Sequence, residues 1–253
     1  MRWMRIKSKQ FLIMNDPYFR VELLSSTLDP QTLIWKAMHQ DYSELFVADE
    51  EAPSEAKAGE IAVKRLLAGG RGHFGVLEHP SITFSAGYFP HSVMQQARTH
   101  RVGVSFDVQS MRYTGKRIGP AAAGQVNLEE VFYLRPVGEY RDRQGKHYQY
   151  TRDQREKDLK LCADAATRYE ELIADGFSEE HARGILPFDY RQHFVITFNM
   201  RSLMHFLDLR AKDDAQLEIH QLCNLMLPIF YKWAPQMCDW YTKNRLGRAR
   251  LSP

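Results

Sequence analysis

The fold is decided by one stretch in the last quarter of the chain, Phe194-Val-Ile-Thr-Phe-Asn-Met-Arg-Ser-Leu-Met-His-Phe-Leu-Asp-Leu-Arg210. Its first five residues are β-branched or aromatic, which predicts a strand. Residues 202–210 predict a helix that follows directly, with Ser202 as its N-cap. Elsewhere, too, strands and helices mix without a regular βαβ alternation. The sequence therefore predicts the α+β class.

The remaining elements follow from local periodicity and from turn residues. Further strands are predicted at residues 19–24 and near 130–134. Residues 77–85 predict a loop that enters another strand. Residues 114–150 show little periodicity and predict a long functional loop. The predicted helices run from Asp29-Pro30 with Asp29 as N-cap, from Pro53-Ser54 to Gly69-Gly70, from Pro90 to about Arg98, over 155–174 with a stop at Gly176, from Ser178 to before Pro187, and over 214–227 with Pro228 as a kink or an end.

These elements form neither an internal repeat nor two blocks separated by a linker. We expect a single domain over residues 1–253, with a central, mostly antiparallel sheet flanked by helices. Residues 1–27 form a lead-in and residues 243–253 a basic tail.

The bulk composition excludes several classes of protein. Hydrophobic residues make up 44% of the 253 residues and charged residues 26%, which excludes wholesale disorder and permits a large core. The net charge of +3 is too small to indicate nucleic-acid binding by itself. No apolar run approaches the length of a membrane span, and the basic N-terminus lacks the apolar core of a signal peptide. We expect a cytoplasmic protein that binds neither nucleic acid nor membrane.

The three cysteines, Cys162, Cys223 and Cys238, show no C-x-x-C spacing. A sparse, odd set is typical of a reducing compartment, and Cys162 and Cys223 fit helical patterns as buried thiols. Because neither an H-x-x-x-H motif nor a Cys/His cluster is present, we expect no metal site.

A dense group of polar residues begins at Arg98-Thr-His-Arg101 and ends at Ser110-Met-Arg112-Tyr113. Guanidinium groups bind phosphate oxygens bidentately, so this stretch suits a ligand with phosphates and a polar ring. The alternative is a solvated basic loop. In the second stretch, Arg201 and His205 lie on one helix face, whereas Arg210 shares a stripe with Leu203 and Phe206. Arg210 would then bind a ligand, or it would extend into solvent from the core edge, or it would pair with Asp213 or Asp214.

Several motifs stand in a fixed order along the chain: Gln95-x-x-Arg98, His100-Arg101, Ser110-x-Arg112-Tyr113, Arg183-x-x-Leu-Pro187, Asn199-x-Arg201-Ser-Leu and Ala215-Gln-x-Glu218-Ile. Over about residues 30–225 this set resembles the flavin-dependent thymidylate synthases. That family usually has Arg-His-Arg, seven residues and Ser; here Thr99 splits the triplet and eight residues separate Arg101 from Ser110. Gln95 is preferred to Gln96 because it keeps the Gln-x-x-Arg spacing.

The resemblance implies reductive methylation of dUMP to dTMP, with FAD as hydride carrier and with 5,10-methylenetetrahydrofolate and NADPH as co-substrates. It also implies a homotetramer with shared active sites. Arg210 matches the catalytic group at the uracil ring. The matching dUMP contacts are Gln95, Arg98, Gln109, Ser110, Arg112, Arg183 and Arg210, and the matching FAD contacts are Ser43, His73, Arg98, His100, Arg101, Asp107, Asn199, Arg201 and His205.

Two other functions use the same residues. A non-catalytic nucleotide- or RNA-binding protein would combine the basic groups with stacking aromatics such as Tyr113, Tyr133 and Tyr140. A flavoprotein of another reaction, such as an NADPH oxidase, would bind the flavin without a dependence of its reoxidation on dUMP. His73 and His79 have a structural alternative as well, since isolated histidines are more often satisfied structural groups than ligands.

Overall fold

Four antiparallel strands form the central sheet. The computed structural model describes residues 16–68, 72–142 and 144–248. The strands lie in the order β1, β2, β6, β3, and each neighbouring pair is antiparallel. A separate two-stranded hairpin consists of β4 and β5. The strands are β1 Arg20–Ser26, β2 Ser81–Pro90, β3 Val104–Val108, β4 Gly138–Arg141, β5 His147–Tyr150 and β6 Arg191–Asn199.

Helices cover the sheet and connect its strands. They are α1 Pro30–Gln40, α2 Glu55–Ala62, α3 His91–Ala97, α4 Met111–Thr114, α5 Ile118–Ala122, α6 Arg152–Ala174, α7 Glu179–Ala182, α8 Met200–Arg210, α9 Leu217–Trp233 and α10 Pro235–Asn244. Short turns of 3₁₀ helix lie at Gly75–Glu78, Gly115–Arg117, Leu128–Glu130 and Arg183–Ile185, and one π-helical turn lies at Val63–Leu67. The predicted α+β class, with an antiparallel sheet flanked by helices, is confirmed.

One face of the sheet is apolar and carries the main core. In the register of β2 and β6, Ile82 pairs with Phe198 and Phe84 with Ile196, and all four side chains are buried. The α8 residue Phe206 packs on Phe198, with ring centroids 5.1 Å apart. Because successive strand residues point to opposite faces, the other face is polar. There the Thr83 and Thr197 hydroxyls are 2.9 Å apart.

A β-bulge interrupts the pairing of β2 with β6. Ala86 pairs with Phe194 and Phe89 with Gln192, so three steps along β2 match two steps along β6. Tyr88, within the bulge, has a positive φ of 66°. The extra residue lets Phe89 stay buried beside Phe194, with ring centroids 6.2 Å apart, and α3 starts immediately afterwards.

A second cluster of buried apolar residues lies under the long helix α6. It includes Ile118, Phe132, Cys162, Ala166 and Tyr169. The capping box of Thr151 and Gln154 starts α6 three residues earlier than predicted, and Gly176, at φ 85°, follows its end as predicted. The predicted burial of Cys162 and Cys223 is confirmed.

The prediction of a long loop over residues 114–150 is wrong. That region holds α5, two 3₁₀ turns and the β4–β5 hairpin. The predicted strand at 130–134 is wrong too, because only a single bridge between Phe132 and Tyr190 forms there. These short elements bury Ile118 and Phe132 against α6, and that tertiary contact is not visible in local periodicity.

Two predicted N-caps are also wrong, although α1 begins at Pro30 as predicted. Helix α8 begins at Met200, because the Asn199 side chain, not that of Ser202, caps it. Asp29 precedes α1 in a left-handed conformation and makes no side-chain cap. Its place is taken by Glu55, whose carboxylate accepts the backbone N–H groups of Gln31 and Thr32, both at 2.8 Å.

Helix α9 begins at Leu217 and continues through Pro228 to Trp233, so neither the predicted start at 214 nor an end at Pro228 is correct.

The predicted helix end at Gly69-Gly70 lies outside the described residues, as do residues 1–15 of the lead-in and 249–253 of the tail. A single domain over the whole chain stays a prediction. None of the helices among the described residues combines the length and the apolar composition that a membrane span requires.

Candidate active site

The predicted catalytic residue, Arg210, sits at the C-terminal end of α8 against the segment that follows α3. Its Nε donates to His100 Nε2 at 3.0 Å, and one terminal nitrogen donates to Thr99 Oγ1 at 3.1 Å and to the Gln96 carbonyl at 3.2 Å. The other terminal nitrogen lies 3.4 Å from Gln96 Oε1. The structure shows no pairing with Asp214, and the contacts with Gln96, Thr99 and His100 fix the guanidinium in one orientation.

His100 is a buried, neutral imidazole beside that guanidinium. Burial, the charge of Arg210 and the neighbouring His205 together lower the pKa of His100 to about 4. The His100 ring contacts His205 and Phe206, with centroids 5.3 and 4.9 Å away. Because Nε2 accepts from Arg210, the ring proton of the neutral form belongs on Nδ1. Nδ1 is buried and has no hydrogen-bond partner among the described residues.

The low pKa of His100 predicts a pH dependence of stability. The unfolded chain binds a proton near pH 6.5, whereas folded His100 does not until about pH 4, so stability falls as the pH drops through this window. We expect His100→Gln to remove up to about 3 kcal/mol of the loss in unfolding free energy between pH 7 and pH 4.

Urea unfolding at several pH values measures this slope. His193 and His220, whose pKa values are also lowered by burial, contribute slopes of the same sign, so His193→Gln serves as the matched comparison. An unchanged slope in His100→Gln would contradict the assignment.

A second group of predicted residues lies on the other side of α3. Gln95 Nε2 contacts His91 Nε2 at 2.6 Å, and His91 Nδ1 contacts Gln192 Oε1 at 2.7 Å. Gln192 in turn donates to the Gln109 carbonyl at 3.3 Å. The chain of bonds links Gln95 to Gln109, two predicted dUMP contacts that are 14 residues apart in the sequence. Gln109 Oε1 is buried with no partner in the described part of the chain.

Ser110 begins a segment that an ion pair joins to α7. The Ser110 hydroxyl caps α4 by accepting from the Arg112 backbone N–H at 3.3 Å, and the Arg112 side chain pairs with Glu180 of α7 at 2.7 Å. Arg183 follows α7 directly, and its charge acts on Tyr190 together with that of Arg117. The ion pair of Arg112 with Glu180 therefore connects the two segments that carry the predicted dUMP contacts Arg112 and Arg183.

Arg117 was not predicted as a site residue. One of its terminal nitrogens donates to the backbone carbonyl of Arg191, and its Nε is buried without a partner among the described residues. Burial lowers its pKa, and no carboxylate of the described chain pairs with it. Its sequence signal was weak, because it stands in a Gly- and Arg-containing stretch without periodicity.

The predicted flavin contacts Ser43 and His73 form a third group. The Ser43 hydroxyl donates to Glu50, and His73 Nε2 lies 3.7 Å from the Asp41 carboxylate. The hydrogen bond of Ser43, against the opposing effect of desolvation, lowers the pKa of Glu50, which also contacts His39. The 3₁₀ turn Gly75–Glu78 follows His73 in the chain, and its last residue, Glu78, forms an ion pair with Arg201 of α8 at 2.6 Å.

The remaining predicted contacts are dispersed. Asn199 caps α8 through its Oδ1, and Arg98 and Arg101 are exposed, with no ion pair or hydrogen bond of their side chains within the described residues. Asp107 is exposed on β3 opposite Val195. Strand alternation places Asp107 on the polar face of the sheet, away from His100 on the helix-covered face.

Sequence reasoning chose Gln95 over Gln96, but the structure places Gln96, not Gln95, against Arg210. If the triplet is taken as Thr99-His100-Arg101, the spacing of Gln, two residues and the triplet selects Gln96. No three His, Cys, Asp or Glu side chains come together as a metal site anywhere in residues 16–68, 72–142 and 144–248.

Comparison with known proteins identifies the family. The family model of the thymidylate synthase complementing proteins matches residues 22–236. Flavin-dependent thymidylate synthases from Halobacterium salinarum and Haloarcula marismortui are 35% and 34% identical to the chain, and each alignment covers 92% of it and 100% or 99% of the relative. The enzyme of the same name from Pyrococcus furiosus is 32% identical over 82% of this chain and 77% of its own length.

A solved structure supports the fold. A UMP/dUMP methylase from Streptomyces cacaoi, bound with 5-Br dUMP, aligns with a TM-score of 0.71 over 93% of this chain and 97% of its own, at 23% identity. The length of the family match and the identity to three relatives agree with the motifs gathered around α3 and α8. The chain belongs to the flavin-dependent thymidylate synthase family of methyltransferase enzymes.

Proposed function

We propose that the protein converts dUMP to dTMP by reductive methylation, with FAD as its cofactor and with 5,10-methylenetetrahydrofolate and NADPH as co-substrates. The single observation that carries the proposal is the forked guanidinium of Arg210, held by Gln96, Thr99 and His100. Relatives that match nearly the whole chain carry the name flavin-dependent thymidylate synthase, which supports the same reaction here.

Arg210 is the residue that we assign to the uracil ring. A guanidinium beside the N3 edge stabilises negative charge that spreads over the ring, and this makes C5 a better nucleophile. Because His100 is neutral, it adds no competing positive charge beside Arg210 and accepts one of its N–H groups. The remaining hydrogen bonds hold the fork before substrate arrives, so little reorganisation is needed in the transition state.

We assign the phosphate of dUMP to the arginines near Ser110. Arg112 and Arg183 are joined through α7 and can donate to phosphate oxygens, with the Ser110 hydroxyl beside them. Arg117 adds a positive charge without a carboxylate partner in the described chain. Gln95 and Gln109 belong to the same network and complete the proposed nucleotide contacts, to which we add Arg98.

We assign FAD to Ser43, His73, Arg98, His100, Arg101, Asp107, Asn199, Arg201 and His205. The flavin would supply hydride transfer, which amino acid side chains cannot provide. The buried Nδ1–H of His100 fits such a group, because it is a donor that lacks an acceptor among the described residues. Arg98 and Arg101 suit the negative charge of a pyrophosphate.

A homotetramer in the cytoplasm, with active sites shared between subunits, accounts for the spread of these residues. Within one chain they form three groups rather than one, and Asp107 lies on the opposite face of the sheet from His100. Residues that are exposed in one subunit, such as Arg98 and Arg101, can complete the site of another.

The visible absorption spectrum of the purified protein tests the proposal. We expect flavin bands that shift when dUMP is added, because both ligands share one site. Addition of dCMP in place of dUMP at equal concentration controls for general nucleotide effects, because its ring lacks the N3–H edge assigned to Arg210. A colourless protein that takes up no added FAD would refute the proposal and favour RNA binding. Flavin reoxidation that is independent of dUMP would favour another flavoprotein reaction.

A further inference from the structure

Three buried or half-buried side chains form a hydrogen-bonded chain behind Arg210. Gln96 Nε2 donates to Gln216 Oε1, and Gln216 Nε2 donates to Glu218 Oε2 at 2.7 Å. On the other side of Gln96, its Oε1 faces Arg210. The two amides therefore lie in series between a guanidinium on α8 and a carboxylate on α9.

The chemistry of the two ends fixes the orientation of both amides. Arg210 can only donate and the ionised Glu218 can only accept. Gln216 must therefore turn its nitrogen to Glu218 and its oxygen to Gln96. Gln96 must then turn its nitrogen to Gln216 and its oxygen to Arg210. Reversing either amide would place two donors or two acceptors face to face.

Glu218 is itself held firmly. Its side chain is 1% exposed, and it accepts from Arg135 at 2.7 and 3.1 Å and from the Tyr133 hydroxyl at 2.9 Å. Burial alone would raise its pKa, but the bonds and charge of Arg135, with the bond from Gln216, keep the pKa below its ordinary value. The acceptor end of the chain thus stays charged.

We propose that Gln216 and Glu218 are positioning residues, which set the direction of the Gln96 amide and through it the orientation of Arg210 toward the nucleotide. The proposal rests on the function assigned to Arg210 above. Neither residue is assigned a contact with substrate or cofactor. Both belong to the motif Ala215-Gln-x-Glu218-Ile, from which the sequence predicts no role for either.

Gln216→Met tests the proposal because it keeps the length of the side chain and removes its hydrogen bonds with Gln96 and Glu218, together with a third bond to Ser92 Oγ at 3.1 Å. We expect about fivefold weaker binding of dUMP in isothermal titration of the holoenzyme, together with a lower kcat, because one hydrogen bond is worth roughly 1 kcal/mol. Gln216→Glu keeps the size and the acceptor but lacks the donor, and we expect a loss of binding from this second variant as well.

Gln236→Met is the matched control. Gln236 lies on α10 and accepts from Gln31 at 2.8 Å, in a bond that involves none of Arg210, Gln96 and Gln216, so its replacement removes a comparable amide bond. We expect the control to bind dUMP as the wild type does. An equal loss in the control would mean that the effect reports general stability, and would overturn the proposal.

The double variant with Arg210→Ala isolates the coupling. We call the hydrogen-bonded chain of Gln96, Gln216 and Glu218 the relay. If the relay acts through Arg210, Gln216→Met weakens dUMP binding no further in the Arg210→Ala background. If the two substitutions weaken dUMP binding by the full product of their separate effects, the relay is overturned and the role of Arg210 stands. The same follows if Gln216→Met binds dUMP as the wild type does while Arg210→Ala is impaired. Wild-type binding and turnover by Arg210→Ala would instead overturn the role of Arg210, and the relay with it.

Discussion

Arg210→Ala is expected to fold and to lose dTMP formation, with kcat lowered about a hundred- to a thousandfold, the usual effect of removing one preorganised electrostatic group. The residue is only half-buried, so its truncation leaves no large cavity in the core. What disappears is a fork with donors on three nitrogens, fixed by Gln96, Thr99 and His100. Initial rates of dTMP formation at saturating dUMP measure the effect.

Arg210→Lys is expected to recover little of this activity. An ammonium group is one point charge on a flexible stem and cannot reach His100 Nε2, Thr99 Oγ1 and the Gln96 carbonyl together. Arg168→Ala is the matched control, because Arg168 makes an exposed pair with Glu171 on α6. Normal turnover by Arg210→Ala would show that the guanidinium has no part in the chemistry.

The largest expected loss of stability comes from Arg191→Met. Arg191 is fully buried, and its terminal nitrogens donate to both oxygens of Asp16 at 3.1 and 2.8 Å. It also donates to the backbone carbonyls of Glu129 at 2.5 Å and Tyr88 at 2.8 Å. The substitution leaves the buried carboxylate of Asp16 without its cation, with only the Tyr18 backbone N–H as a donor among the described residues, and it removes the side-chain donor from two carbonyls. We expect a loss of about 3–5 kcal/mol, as for other broken buried ion pairs.

Thermal unfolding should then show a midpoint lower by roughly 10 °C, given the size of the chain. The double variant Arg191→Met with Asp16→Leu removes the stranded charge and should recover part of the loss. Arg168→Met, at an exposed position, should change the unfolding free energy by less than about 0.5 kcal/mol. A midpoint within 2–3 °C of the wild type in Arg191→Met, about 1 kcal/mol for a chain of this length, would contradict the prediction.

The contrast between Arg191 and Arg210 shows what the sequence can and cannot reveal about the site. Arg210, His100 and Ser110 belong to recognisable motifs, so they could be selected without coordinates. Arg191 follows Tyr190 at the start of β6 without any motif, and its partner Asp16 is 175 residues away. Long-range pairing of this kind has no local signal. The relay of Gln96, Gln216 and Glu218 depends in the same way on the contact of α3 with α9.

Elements with a strong local period were predicted well. The strands β1 and β6 and the helices α3 and α6 all lie close to their predicted bounds. Strand β3 was not predicted although Val104, Phe106 and Val108 alternate with polar residues, because this alternation covers only five residues, few for a strand signal. Helix α10 was missed although Pro235 occupies its first turn, a position that favours proline.

Helix α9 shows the limit of a local rule. A proline in a helix interior removes one N–H group and strains the preceding turn, which predicts a break at Pro228. The helix nevertheless continues to Trp233, because Met226 and Phe230, on either side of the proline, are fully buried in the core. Packing on both sides offsets the local cost.

The bulge in β2 has a consequence for where α3 can begin. Side chains alternate along a strand with a period of two, so three steps of a regular strand would place Ala86 and Phe89 on opposite faces. Without the bulge, Phe89 would therefore turn out of the core and α3 would start on the wrong side of the sheet. Gln96 would then leave the neighbourhood of Arg210. The irregular step in this strand is as much a requirement of the site as any side chain in it.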